Sequence, residues 1–319
     1  MLISKLALCL TGALTFTFPV RAVNTEPTHV EIDPIKVQLG PKGQMKTIAM
    51  DSKGNLLAGV MWYANGNQKK YGIKKISPQG KLLQTWVLKG DFLPKMIHGC
   101  DDGMVYVGGH GYLAMFDENG NEKKRIDLDK VLDYKAITAG LYVTDKYVFA
   151  AYGSGNSMRA VEEFHRFNRD LTGSKKIIER QYGCCAHIDM EVVGDKLLIA
   201  ENSRHRMNVF DLDGNKLGTW GKRDRTNIEG FTACCNPCNT DIAGDGSIFT
   251  VESGVGRVKR FTPDGKYLGL VGYIDTTKFD RGSKLAAQSC YIPSEVSADG
   301  KRVYVMDVRQ HFIRVLEQK

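Results

Sequence analysis

Beyond its first twenty-two residues the sequence has no apolar run long enough to cross a bilayer, which excludes a helical anchor from the rest of the chain. It has no block of lysine or arginine. The 44 basic and 36 acidic residues are spread along 319 positions, and the formal charge of +8 reads as solubility and weak attraction to anions rather than a nucleic-acid footprint. It has no Gly-x-Ser-x-Gly elbow, no phosphate-binding glycine loop and no Ser/His/Asp ordering, so the common nucleophilic and nucleotide chemistries lack a carrier. It has no Cys-x-x-Cys-His: Cys235-Asn236-Pro237-Cys238 is followed by Asn239, which argues against a covalent c-type haem. Asp117-Glu-Asn119-Gly120 and Asp211-Leu-Asp213-Gly214 resemble pieces of calcium loops, but the late glutamate of an EF-hand is missing, and they read as hairpin turns.

What is present begins with a leader. MLISKLALCLTGALTFTFPVRAVNTEP has a basic Lys5, an apolar stretch from Leu6 to Val20, and Val20-Arg21-Ala22 at a cleavage position. The expectation is a signal peptide over 1–22 and a single mature domain over 23–319, periplasmic or secreted. An oxidising compartment permits disulfides. Of eight cysteines, Cys9 leaves with the leader, and an odd seven remain.

The mature chain repeats. HIDMEVVGDKLLIAENSRHRMNVFDLDGNKLGTWG (187–221) and NTDIAGDGSIFTVESGVGRVKRFTPDGKYLGLVG (239–272) share one order of apolar runs, Gly/Asp turns and alternating runs. The same pattern fits 47–90, 96–128, 137–178 and 294–318. Four short strands per unit and six units predict an all-β, six-bladed β-propeller. The last unit stops after its third strand. The strand-like THVEIDPIKVQL (28–39) is therefore expected to supply the outer strand and close the ring, leaving no sheet edge open. AVEEFHRFNRDL (160–171) aligns with third strands and reads as a strand, not a helix.

The run Glu201 to Asp211 resembles the NHL repeat: Asn202, His205, Arg206, Val209 and Phe210 match its signature. The resemblance is specific in the fourth unit, fair in the fifth and sixth, and weak in the first three. It implies the propeller fold. NHL-like propellers serve as protein-binding surfaces, RNA-binding surfaces, or lyase and hydrolase domains, so the fold leaves function open. Six-bladed hydrolases of related shape place calcium near the axis.

Aligning the units on their first turn puts Cys184-Cys185 and Cys234-Cys235 at one position, with Cys290 slightly off and Cys238 just inside its strand. Three consecutive blades would thus bring six cysteines to one face. Cys100, beside an Asp-Asp-Gly turn on the other face, is the candidate free thiol. The six could form disulfides, each adding roughly 2–4 kcal/mol. They could instead ligate a thiophilic ion, zinc or copper, with His187 joining, or carry thiol redox chemistry at Cys235 and Cys238. Glu201, Glu252 and Asp307 fall at one aligned position after the second strands, with His110 nearby. They could hold calcium or zinc, or cap loop backbone. Asp189 and Asn239 match on the inner strands, and read as satisfying polar contacts there.

The first reading is a non-catalytic binding or scaffolding module that requires no cofactor. Its partner would be another protein or a small ligand at the cysteine-bearing face, without nucleic acid and without a membrane span. A metal- or redox-bearing subunit of an extracytoplasmic enzyme, using the cysteine cluster, is the second. A calcium-dependent lyase or hydrolase is the third.

Overall fold

The structure is a computed structural model that describes residues 24–64, 68–153, 161, 163–184, 187–232, 235–274 and 292–319. The leader, Cys185, Cys234 and Cys290 lie outside the described residues.

The chain forms six antiparallel four-stranded sheets. Strand β1 (His29–Lys36) comes first and stands apart from the blade that follows it. Blade one holds β2 (Gln44–Met50), β3 (Leu56–Ala64), β4 (Gln68–Ile76) and β5 (Leu82–Val87). Blade two holds β6 (Met96–Gly99), β7 (Val105–Gly108), β8 (Tyr112–Phe116) and β9 (Glu122–Asp127). Blade three holds β10 (Ile137–Val143), β11 (Tyr147–Gly153), β12 (Glu163–Asn168) and β13 (Lys175–Ile178). Blade four holds β14 (Asp189–Val193), β15 (Lys196–Glu201), β16 (Arg206–Asp211) and β17 (Lys216–Trp220). Blade five holds β18 (Asn239–Ile242), β19 (Ile248–Glu252), β20 (Arg257–Phe261) and β21 (Tyr267–Tyr273). Blade six holds β22 (Ser294–Val296), β23 (Arg302–Asp307) and β24 (Phe312–Gln318).

The repeat read from the sequence therefore corresponds to the blades. So does the closure: β1 pairs antiparallel with β24, from His29 opposite Gln318 to Lys36 opposite Phe312. Glu31 forms an ion pair with Arg314, and His29 Nε2 lies 2.9 Å from the Gly300 carbonyl oxygen. The first strands of neighbouring blades contact one another all the way round, β22 against β2 included, so the ring is closed at its axis.

Burial follows the layout. The second strands, packed on both faces, read as continuous apolar runs: KLLIAE in β15 is buried from Leu197 to Glu201. Outer strands alternate, as in LLQTWV of β5, where only Trp86 is buried. Apolar side chains fill the gaps between blades. Phe149, Phe164, Ile188, Leu197, Ile199 and Phe210 form one such cluster between blades three and four. Burying a phenylalanine there contributes roughly 2–3 kcal/mol.

The turns explain the recurring Asp-x-x-Gly-Asn. Asp211 Oδ1 accepts the N–H of Asp213 at 3.0 Å and of Asn215 at 2.8 Å, while Asn215 Nδ2 donates to Asp211 Oδ2 at 2.8 Å. Asp117 and Asn121 repeat this arrangement. Gly214 has φ +92°, and a Cβ there would lie 2.0 Å from the Ile177 carbonyl oxygen, so only glycine fits. A single-turn helix, α1 (Leu128–Leu132), joins blades two and three and is capped by Asp127 on the Lys130 N–H.

Candidate functional site along the propeller axis

The inner strands enclose an axial cavity of about 1100 Å³, lined among others by His98, Cys100, Asp189, Glu191, Asp241 and Glu295. The turns between first and second strands also line it, Asp51, Asp101, Asp145 and Asp299 among their residues, so it opens toward that face.

Inner strands of adjacent blades splay apart, and their backbones cannot form a ladder. Side chains bridge the gap instead. Asp189 accepts the N–H of Thr240 at 2.5 Å and its hydroxyl at 3.0 Å. Asn239 donates to Asp189 at 2.7 Å and accepts the Ser294 N–H at 2.5 Å. Asp241 accepts the Val296 N–H, and Glu295 accepts the Met50 N–H. A run of polar side chains thus ties blade four to five, five to six, and six to one, each meeting a backbone donor that would otherwise be unmatched.

Burial sets the protonation of these groups. It pushes Asp189 up to about 6 and Asp241 up to about 7, against the hydrogen bonds each accepts. Glu191 and Glu295 are raised well above the ordinary carboxyl range, by burial first and then by the neighbouring Asp189 and Asp241. The expectation that Asp189 and Asn239 satisfy polar inner-strand contacts agrees with this geometry. Glu191, Asp241 and Glu295 were not singled out from the sequence. The available signal was the alternation of polar residues in the first strands, Asp189 with Glu191 and Asn239 with Asp241.

The opposite face carries the cysteine-bearing loops. Cys184 is half-buried, and its N–H donates to Asn202 Oδ1 at 2.7 Å. Cys235 and Cys238 are buried. In that blade Asn236 plays the matching part: its Oδ1 accepts the Ser253 N–H at 2.7 Å, and its Nδ2 donates to the Ser253 carbonyl at 3.2 Å. In both blades an asparagine thus pins the cysteine-bearing loop to the loop after the second strand. The Cys238 thiol lies 3.1 Å from the Val251 carbonyl oxygen as donor, and burial pushes it up to about 12. It holds its proton tightly. Cys100, on the cavity side as expected, is also buried and raised to about 12. His187 follows Cys184 closely, its N–H donating to the Cys184 carbonyl at 3.2 Å, and burial lowers its imidazole to about 3.

The aligned carboxylates have a shared role. Glu201 accepts the Tyr182 N–H at 3.1 Å and pairs with Arg206. Glu252 accepts the Thr232 N–H at 3.3 Å, binds Arg257 at 2.8 Å, and lies 2.7 Å from Lys259. Asp307 accepts the N–H groups of Arg309 and Gln310 at 3.1 and 3.0 Å and binds Arg314 at 3.1 Å. Each ends a second strand, caps a loop, and meets a cation on the third strand. The residue entering the third strand is left-handed in each case, with φ 58° at His205, 62° at Gly256 and 56° at His311. The end of the second strand is therefore a repeated structural unit in these three blades: an acid, a left-handed residue and a basic third strand. Among the described residues no three histidine, cysteine, aspartate or glutamate side chains are grouped to hold a metal ion.

Near the axis on this face lie Lys46 and His311, with Lys95 and His110 in the neighbouring blade. Lys46 and Lys95 repel one another, and Lys95 acts on both His110 and His187.

No family model matches the chain, and comparison with curated proteins gives no match. Solved structures match over nearly its full length. One is a chain of the mitotic checkpoint complex, 11% identical, with a TM-score of 0.54, covering 97% of this chain and 99% of that one. Another is a protein of unknown function from Bacteroides thetaiotaomicron, 15% identical, with a TM-score of 0.59, covering 93% and 73%. At such identities the likeness is one of fold, and it supports the propeller. No described helix is long and apolar enough to cross a membrane.

Proposed function

We propose that this chain is an exported, non-catalytic binding module that presents the cysteine-bearing face of a closed propeller to another protein or a small ligand. The observation that carries the reading is the state of the aligned carboxylates. Glu201, Glu252 and Asp307 are the groups that acid–base or calcium chemistry would use, and each is held by a cation of the chain itself. What remains at that face is a set of loops pinned in equivalent positions in adjacent blades, a geometry suited to recognition. The likeness in fold to a chain of the mitotic checkpoint complex supports the reading.

The test is site-specific photo-crosslinking in cells that export the protein. Tyr182 is exposed beside Cys184, and Lys146 is exposed on a turn of the opposite face. A photoreactive residue at position 182 should give a discrete adduct, and one at 146 should give none. Adducts from 146 alone, or from neither, would overturn the reading. N-terminal sequencing of the exported form should begin near residue 23, and a retained leader would remove the export part.

A further inference from the structure

Buried or half-buried lysines need a partner, because a charge withdrawn from water is costly unless it is compensated. Two lysines of this propeller follow the rule: Lys75 lies 2.7 Å from Asp51, and Lys259 lies 2.7 Å from Glu252. Lys46 and Lys95 depart from it. Both are half-buried, and no described carboxylate pairs with either. Among the described residues Lys46 Nζ donates to the neutral Gln44 side chain, at 2.6 Å. Besides burial, the charge that acts on Lys95 is Lys46 and the charge that acts on Lys46 is Lys69, so each meets a cation that repels it.

Their placement is specific. Lys46 lies at an irregularity in the β2–β3 register, between Met45 and Thr47, where a bulge re-aims a side chain. Lys95 directly precedes β6, its backbone fixed by the Gly108 carbonyl at 2.9 Å. Strands β2 and β6 are neighbours at the axis. Thr47 and Met96, the next residue of each chain segment, line the axial cavity. The two lysines therefore stand just past its inner end, toward the cysteine-bearing face.

Neutral donors complete the collar. His311 Nδ1 accepts the Met45 N–H at 3.3 Å, which places the proton of the neutral ring on Nε2. His110 is exposed beside Lys95. The aligned carboxylates Glu201, Glu252 and Asp307 are each held by other cations. Two lysines that no described carboxylate pairs with, and two histidines, thus gather at the axial end on this face, a setting that attracts an anion.

We propose that the axial end of the propeller on the cysteine-bearing face binds an oxyanion group, a phosphate or carboxylate, held by Lys46 and Lys95 with His110 and His311 beside them. This deepens the binding reading of the same face, and rests on it, by naming the chemistry of the ligand.

Calorimetric titration of the full exported chain with inorganic phosphate and with succinate, in 150 mM NaCl to screen the general positive charge, tests the proposal. We expect saturable one-to-one binding of at least one probe. The tighter probe identifies the source as a phosphate or a carboxylate. Lys95→Met and Lys46→Met should each weaken binding at least tenfold, Lys95→Arg should retain it, and Lys216→Met, on an exposed outer strand, should leave it unchanged. Absence of saturable binding by either probe, or equal binding by Lys95→Met and the parent, overturns the proposal. Should Lys95→Met fail to fold, the comparison of Lys46→Met with Lys216→Met decides it. If the crosslink at position 182 forms while both probes fail to bind, the oxyanion inference falls and the binding reading stands.

Discussion

The side-chain oxygen of Asn239 accepts the backbone N–H of Ser294 at 2.5 Å, across the boundary between the fifth and sixth blades. Both residues are buried. The amide nitrogen of the same Asn239 donates to Asp189 in the fourth blade at 2.7 Å, so one side chain joins three blades. Asn239→Ala would leave the Ser294 N–H without this acceptor and take a donor from Asp189. A buried polar group left unmet costs about 1–3 kcal/mol, so we expect a loss of roughly 2–4 kcal/mol in urea unfolding at pH 7. Asn239→Asp keeps the acceptor but adds a carboxylate beside Asp189, and should also be less stable than the parent. A loss below roughly 0.5 kcal/mol for Asn239→Ala would mean that water replaces the tie.

Lys259 and Glu252 form a buried ion pair, with neither side chain exposed, and Arg257 shares the same carboxylate. Removing one partner of such a group strands the others. Glu252→Gln should cost about 3–5 kcal/mol, visible as a large drop in the denaturation midpoint. The exposed Lys53–Glu118 pair offers the contrast. Glu118→Gln should leave the denaturation midpoint nearly unchanged, because water screens the exposed pair.

The axial carboxyls and the buried histidines act on stability with opposite signs. Burial holds Asp241 at about 7, above its ordinary 3.8, so between those values the folded state keeps a proton that the unfolded chain has released. Its contribution therefore falls as pH rises from about 4 to about 7 and is constant above that. Asp241→Asn keeps an oxygen for the Val296 N–H and removes the titration. Relative to the parent, this variant should gain stability with rising pH, by at most about 1.4 kcal/mol per unit. His98 is held down at about 4 by burial, with its ring 4.5 Å from that of Tyr142. The unfolded chain binds a proton below 6.5 that the fold refuses until about 4, so His98 removes stability as pH falls through that window. His98→Gln should therefore gain on the parent as pH falls. Urea midpoints at pH 4.5, 5.5, 6.5 and 7.5 check both signs. A parallel pH profile for either variant and the parent would mean the group does not titrate there.

The blades were legible in the sequence because each carries its own punctuation: an Asp-Gly turn, a buried run such as LLIAE, and an alternating outer strand. The closing strand was legible because the last unit lacked a fourth strand and only 28–39 could supply it. The axial ties were not. Asp241 and Glu295 each reach a strand about fifty residues or more away along the chain, and nothing local distinguishes a carboxylate that caps a neighbour's N–H from one that faces solvent. The alignment of Glu201, Glu252 and Asp307 was visible, but their cations Arg206, Arg257 and Arg314 gave no sign of being their partners until the third strands were placed beside the second. Lys46 and Lys95, far apart in sequence and without a motif, could be grouped only once the ring was closed.

Closure itself is testable. A chain starting at residue 41 would lose β1 and leave the outer edge of β24 unpaired. It would also remove Glu31 from Arg314, which is 5% exposed and pairs with Asp307 as well. An exposed edge strand recruits other chains. We expect this truncation to unfold at lower temperature than the parent and to self-associate on size-exclusion chromatography. Adding a synthetic peptide spanning 24–40 should restore the monomer. A truncated chain that remains monomeric and equally stable would mean that β24 tolerates solvent at its edge.

The cysteine chemistry can be read directly. Thiol alkylation proceeds through the thiolate. With burial holding Cys100 and Cys238 up at about 12, only about one thiol in ten thousand is ionised at pH 8. Both side chains are also closed to reagent, at 7% and 2% exposure. Iodoacetamide should therefore leave both unlabelled in the folded protein, and label both once urea unfolds it, as peptide mass spectrometry would show. The same digest gives the state of the other five cysteines beyond residue 22, because a disulfide blocks alkylation until a reductant is added whereas a bound metal blocks it until a chelator is added. Fast native labelling of Cys238 would mean that its hydrogen bond to Val251 does not hold. The loop pinned by Asn236 would then be open in solution, and the binding face would have to be drawn with a reactive thiol in it.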